Sequence, residues 1–224
     1  AQVLEGLEDA IIGGAFSPSG RLAAVPTGGW SSEPPAVHLW DVGTGRHVEA
    51  VETDSNPTPH CLHFLSEGEI LVATETGFMK LGLDGRPSEF LLEGYYSRFA
   101  VSRDGRRALL LKGENPEGGG GRAVVFDIEA GKATPLTSHG SDITAVAVDH
   151  AGSIAVTGNT DGEIRVGPIT GEEPHLLLRH SGLVVNVAID PLGRWIASNG
   201  FLGDLTVRLW PMPDISRPPL QTLP

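Results

Sequence analysis

A turn followed by a short apolar strand recurs along this chain at intervals of about 43 residues, and no other feature restricts the fold as much. Five stretches carry it: "FSPSGRLAAV", "FLSEGEILVA", "VSRDGRRALL", "VDHAGSIAVT" and "IDPLGRWIAS". Their turn glycines are Gly20, Gly68, Gly105, Gly152 and Gly193, spaced 48, 37, 47 and 41. A second landmark follows in "VHLWDVGTG", "FMKLGLDG", "VVFDIEAG", "IRVGPITG" and "VRLWPMPD". Its reference positions, Trp40, Leu81, Phe126, Gly167 and Trp210, are spaced 41, 45, 41 and 43. Two landmarks keep a similar period independently, which marks a repeated structural unit.

Each unit reads as four short strands. In the fourth, "DITAVAVDHAG" alternates, with Val146 and Val148 on one side as the core pair; "SIAVTG", "DGEIRVG" and "PHLLLRH" follow after turns. Alternation with a period of two, cut by Gly, Pro and Asp, is the strand signal, and no stretch sustains a 3.6-residue period. Four strands in roughly 40–45 residues is the pattern of a propeller blade. The fold expected is all-β: a β-propeller of four-stranded antiparallel blades, about five in this chain. The units run approximately over 7–52, 53–93, 94–137, 138–178 and 179–224, within a single domain or fragment spanning 1–224. Such a blade cannot bury both faces alone, so the units must stack on one another.

Composition narrows the partners. The net charge of −12 repels nucleic-acid phosphates and anionic membranes, so the expected partner is a protein or peptide, neutral to basic, with no nucleic acid and no membrane. No apolar run approaches the roughly 18 residues of a membrane span. The first residues lack the charged and apolar regions of a secretory signal, and the one cysteine, Cys61, forms no internal disulfide; both suit a cytoplasmic place. An opening Ala-Gln in place of Met sets the expectation of a processed or excised fragment.

The residues inside the units resemble the WD-repeat β-propeller family. In that family a histidine before the first strand, a Ser or Thr in the second, an Asp in the turn before the third and a Trp ending the third form a hydrogen-bonded tetrad. The resemblance places this tetrad on His180, Ser198, Asp204 and Trp210 in the fifth unit. In the fourth it supplies His139, Thr157 and Asp161, with Gly167 in place of the tryptophan. The first unit keeps Trp40-Asp41 of "HLWD" but lacks the histidine and the turn aspartate; the second and third keep only the strand pattern. The ending "RLWPMPDISRPPLQTLP" resembles the last blade of WD-repeat domains in large bacterial multidomain signalling proteins, some attached to kinases or regulatory ATPases.

His180, Ser198 and Asp204 also look like a Ser-His-Asp catalytic set. A buried imidazole, carboxylate, hydroxyl and indole N–H are each costly alone and satisfy one another together, so the expectation is a structural clasp, with no catalytic residue. "HCLH" (His60 to His63) has a ligand-like spacing, but on a strand residues three apart face opposite ways, and no metal is expected. "GENPEGGGGR" lacks the Lys-Ser/Thr ending of a phosphate loop, and no cofactor is expected.

The resemblance implies that loops between second and third strands share one face with the loops entering first strands, and that loop-bearing face is the candidate partner surface. Inserted loops "TGGWSSEPPA" and "GENPEGGGGR", the shorter "NGFLGD", and an entry loop bring Trp30, Glu33, Tyr95, Tyr96, Phe201 and Leu202 there, with Glu8, Asp9, Glu114 and Glu117 near the rim. The starts of the first strands, "AIIGGAF", "PHCLHF", "YYSRFAV", "DITAVAV" and "LVVNVAI", are mostly apolar, which disfavours chemistry in a central channel. The function expected is a non-enzymatic scaffold or sensor module docking a protein or peptide, including other domains of a parent chain. The alternatives are a propeller hydrolase or lyase, or a small-ligand or glycan binder at the channel. The segments "QVLEGLEDA" and "PPLQTLP" both read as outer strands. A five-bladed ring and a piece of a larger, seven-bladed propeller both stand, with the piece preferred.

Overall fold

The computed structural model describes residues 13–28, 34–52, 58–113, 121–177 and 179–217. Those residues form five antiparallel sheets and one 3-10 turn at Thr137–His139. Sheet one holds β1 (Ala15–Phe16), β2 (Leu22–Thr27), β3 (Ala36–Asp41) and β4 (Arg46–Glu52). Sheet two holds β5 (Pro59–Ser66), β6 (Glu69–Thr74), β7 (Gly77–Gly82) and β8 (Glu89–Glu93). Sheet three holds β9 (Tyr96–Val101), β10 (Arg107–Lys112), β11 (Arg122–Asp127) and β12 (Lys132–Pro135). Sheet four holds β13 (Ile143–Val148), β14 (Ile154–Asn159), β15 (Ile164–Pro168) and β16 (His175–Leu177). Sheet five shows three strands, β17 (Val184–Ile189), β18 (Trp195–Gly200) and β19 (Val207–Pro211). Strands follow one another in order within every sheet, as propeller blades do. "QVLEGLEDA" and "PPLQTLP" lie outside the described residues.

The turn between first and second strands repeats in atomic detail. Ser17, Ser102, Asp149 and Asp190 each accept a hydrogen bond from the backbone N–H five residues on, at 3.1, 3.0, 2.8 and 2.6 Å. Gly20, Gly105, Gly152 and Gly193 complete these turns at φ +65° to +73°, a region costly for side chains. Sheet two departs: its turn is tighter, Ser66 pairs with Glu69, and Gly68 is not left-handed.

Strand register repeats as well. Trp40, Leu81, Phe126, Gly167 and Trp210 pair across the ladder with Ala23, Ile70, Ala108, Ala155 and Ile196. Two residues further along the second strand stand Val25, Val72, Leu110, Thr157 and Ser198. Only the last two can take part in a polar clasp.

The chain divides into two compact units, residues 1–97 and 98–224. In the first, Leu22, Ala24, Val37 and Leu39 of sheet one pack on Leu62 and Phe64 of β5. In the second, Leu109, Leu111 and Ala123 of sheet three pack on Ile143 of β13, and Val156, Ile164 and Val166 of sheet four pack on Val184 of β17. At each of these junctions the first strand of one sheet covers the preceding sheet. Polar stitches reinforce two of them. Arg107 Nη1 donates to the Gly152 carbonyl at 2.9 Å, and the Thr144 hydroxyl donates to the Val184 carbonyl at 2.5 Å.

This stacking corrects the reading of β13. Ile143, Ala145 and Ala147 are the buried residues, and Val146 and Val148 are half-buried against sheet three. A first strand pressed between two sheets is apolar on both sides, so simple alternation names only one of its two cores.

Candidate functional site

His180 is held at the entry to sheet five by its N–H, which donates to the Gly162 carbonyl at 2.9 Å. Gly162 sits at φ +82°, and a Cβ there would lie 2.3 Å from the His180 carbonyl oxygen, so glycine alone fits. The ladder of β18 and β19 brings Ser198 and Trp210 beneath the imidazole. His180 Nε2 lies 2.8 Å from Ser198 Oγ, and Trp210 Nε1 donates to the same oxygen at 2.8 Å. His180 Nδ1 lies 3.0 Å from Asp204 Oδ2 in a bent approach. His180, Ser198 and Asp204 are buried.

Donor counting assigns the protons. The indole N–H can only donate, so Ser198 accepts from it and directs its own hydrogen to His180 Nε2. A neutral imidazole then carries its proton on Nδ1, toward the carboxylate. Asp204 is the hub. It accepts from the Thr206 hydroxyl, from Ser181 N at 2.8 Å, from Thr206 N at 3.0 Å and from Arg208 Nη2 at 2.9 Å. The Thr206 hydroxyl first, then the Ser181 N–H, hold its carboxyl far below the usual carboxylate range. The Ser198 oxygen is hemmed in by indole and imidazole and buried beneath them. Chemically the arrangement ties residues 180–181 to 204–206 and so closes the loop between β18 and β19.

Sheet four assembles only half of this. His139 Nδ1 meets Thr157 Oγ1 at 2.9 Å, but His139 Nε2 is buried with no hydrogen-bond partner among the described residues. Asp161 is exposed; its N–H donates to Asn159 Oδ1 at 3.1 Å, and no ion pair or hydrogen bond joins it to His139. Pro174 packs where a larger residue at Gly167 would need room: a Cβ there would lie 2.9 Å from it. Burial first, and the Arg165 charge second, push the His139 imidazole down to about 4. A carboxylate that sequence reasoning passed over, Glu163, pairs instead with Arg165 at 3.1 Å and with Arg179. The backbone carbonyl of Arg179 accepts from Arg208 Nη1, so a polar chain runs Glu163–Arg179–Arg208–Asp204 across both sheets. The available signal was charge alternation in "DGEIRVG".

Sheet one shows what becomes of the tryptophan without its partners. Trp40 is buried, Val25 stands at the hydroxyl position, and the indole N–H has no partner among the described residues. Its ring meets His47 edge-on at 5.2 Å. Asp41 accepts from the N–H and hydroxyl of Thr44 and shapes the following turn.

The expected partner surface is only partly exposed. Phe201 and Leu202 are 51% and 71% exposed on the loop that Asp204 closes. Leu202 adopts φ +54°, a strained conformation for a bulky residue. Tyr96 is a correction: it is buried on Phe78, with 6.5 Å between rings, because it begins β9 rather than standing in a loop. Tyr95 is half-buried, its ring against His60 at 5.6 Å. Trp30, Glu33, Glu8, Asp9, Glu114 and Glu117 lie outside the described residues. His63 is exposed and His60 half-buried on β5, and no group of three metal-ligating side chains occurs among the described residues. Among the first strands, sequence reasoning passed over one polar meeting: Arg98 Nη1 donates to the Val185 carbonyl at 2.8 Å and to Asn186 Oδ1 at 2.9 Å.

The family model described as WD domain, G-beta repeat matches residues 132–166 and 171–211. Each match begins at or before the outer strand of one sheet and ends in the third strand of the next, so the sequence repeat is staggered against the structural sheet. No curated protein matches the chain. No helix among the described residues is long and apolar enough to cross a membrane.

Proposed function

Because the chain belongs to the WD-repeat β-propeller family, whose repeats generally mediate protein–protein interaction and are typically non-enzymatic, we propose that it is an interaction module docking a protein or peptide through the loop of Phe201 and Leu202. One observation carries this reading. A network of buried His180, Ser198 and Asp204 with half-buried Trp210 supports a loop whose two apolar side chains are exposed, one of them in a strained backbone conformation. The clasp is structural and the loop works. A net charge of −12 favours a neutral to basic partner in the cytoplasm and disfavours nucleic acid. The resemblance of the C-terminal stretch to bacterial multidomain signalling proteins extends the reading to other domains of such a parent chain.

The test compares capture by the wild-type chain with capture by Phe201→Ala/Leu202→Ala. Expected is loss of one specific bound protein with an unchanged thermal melt. Equal capture by both proteins refutes the reading. A second reading, a small-ligand or glycan binder, rests on Arg98 and Asn186 meeting at the first strands. A ligand whose thermal shift disappears in Arg98→Ala while docking persists favours it.

A further inference from the structure

Between sheets three and four the stacking is less complete than at the other junctions described. Leu81 and Trp210 pack on the core shared with the preceding sheet, together with Leu83 and Met212 two residues on. Sheet four places Gly167 and Ile169 at the same positions, so one large side chain is missing. Pro174 closes over Gly167 itself. Beside Ile169 and Thr170 opens a groove of about 300 Å³. Its lining residues all belong to the second compact unit.

Strand register builds the facing wall. Arg107, Asp127 and Lys132 pair across β10, β11 and β12 as one row, and Leu109, Val125 and Thr134 form the next row on the same face. Leu109 and Val125 join the core that contains Ile169, so both rows face sheet four. Opposite charges adjacent across a ladder ordinarily pair, but here each turns elsewhere. Arg107 Nη1 donates to the Gly152 carbonyl at 2.9 Å, and Asp127 Oδ1 accepts from the Ala130 N–H at 2.8 Å. Among the described residues no ion pair joins Asp127 to either cation, and the Lys132 ammonium has no hydrogen-bond partner. On the opposite rim the Thr170 hydroxyl donates to Glu172.

Charges of both signs, set along an apolar floor and unspent on one another, define the ligand. Two cations, Arg107 and Lys132, stand with two carboxylates, Asp127 and Glu172. A lone anion or a lone cation meets like charge in such a groove, whereas a molecule carrying both signs finds an opposite charge for each. The volume lies at the small end of ligand sites. We propose that this groove binds a small zwitterion, an α-amino acid with an apolar side chain. Its carboxylate meets Arg107 and Lys132, its ammonium meets Asp127, and its side chain lies on Val125 and Ile169. The site is separate from the loop at Phe201 and Leu202.

Isothermal titration of the full chain with L-valine, L-leucine and L-phenylalanine tests this. Saturable binding of at least one of the three is expected. For L-leucine the controls are 4-methylpentanoate, which lacks the ammonium, and 3-methylbutylamine, which lacks the carboxylate. Each analogue should bind at least about tenfold more weakly than the amino acid, as should the amino acid to Lys132→Ala or Asp127→Asn. Both variants should melt with the wild-type chain, and Phe201→Ala/Leu202→Ala should bind the amino acid unchanged. No saturable binding of any of the three up to ~10 mM overturns the proposal. So does equal binding of either analogue, or binding that survives both Lys132→Ala and Asp127→Asn.

Discussion

Sheets four and five begin alike, with a histidine before the first strand and a hydroxyl on the second, and they end with different clasps. In sheet five the imidazole bridges Ser198 and Asp204, and the carboxylate also gathers Ser181, Thr206 and Arg208. In sheet four the imidazole reaches Thr157 alone, its second nitrogen is unpartnered among the described residues, and the nearby acidic side chain is spent on arginines. The same ring is therefore an organising centre in one sheet and a buried neutral spacer in the other. What separates them is where a carboxylate can stand. Two additional residues between second and third strands let Asp204 turn inward under the loop, whereas Asp161 sits in the shorter turn and faces solvent.

The widest predicted gap between the two sheets is in the aspartates. Asp204→Ala strands the His180 ring, two backbone N–H groups and a guanidinium, and should lower Tm by roughly 5–10 °C. Asp161→Ala should leave Tm unchanged. Equal effects from the two substitutions in thermal melts would break the comparison.

Next is the pH dependence of His139. Its imidazole titrates at about 4 in the folded chain, below the ordinary value of 6.5, so the unfolded chain binds the extra proton first on acidification. Its contribution is complete above about pH 6.5 and is lost as pH falls toward 4. Between pH 7 and pH 5 the loss should be about 2 kcal/mol, read from urea unfolding. His139→Gln should flatten that slope. The lowered carboxylates, Asp204 included, lose their contribution only below the carboxylate range, so the two windows separate. A slope unchanged in His139→Gln would remove His139 as its source.

The smallest effect is at the loop. Leu202→Gly relieves a left-handed backbone and should stabilise the chain by roughly 0.5–1 kcal/mol while weakening partner capture. Stability that falls instead would show that the Leu202 side chain supports the fold rather than a partner.

Much of this was legible in the residues. The turn glycines, the reference positions ending each third strand and the identities of His180, Ser198, Asp204 and Trp210 were all readable from spacing and resemblance. The placement of others was not. Tyr96 looked like a loop residue because it follows a glycine and another tyrosine, yet it opens β9 and turns inward onto Phe78. Val146 and Val148 looked like the core pair because one face was assumed, whereas sheets press on both. Glu163 looked like an ordinary charge in an alternating strand until Arg165 and Arg179 closed on it.

The sequence by itself determined what depends on neighbours a few residues apart. Alternating strands and a Ser or Asp bonding the N–H five positions on are local events, and a period of about 43 residues writes the strands out five times and that turn four times. Tertiary structure decided what depends on residues brought together from afar. His139 and Thr157, His180 and Asp204, and Arg98 and Asn186 meet across 18, 24 and 88 positions. No local preference signals which carboxylate reaches which ring, because that depends on how a loop of given length folds back over a neighbouring sheet. The same holds for the groove between sheets three and four. Arg107, Asp127 and Lys132 read as ordinary charges at strand ends, and only pairing and stacking set them in one row on the face toward Ile169.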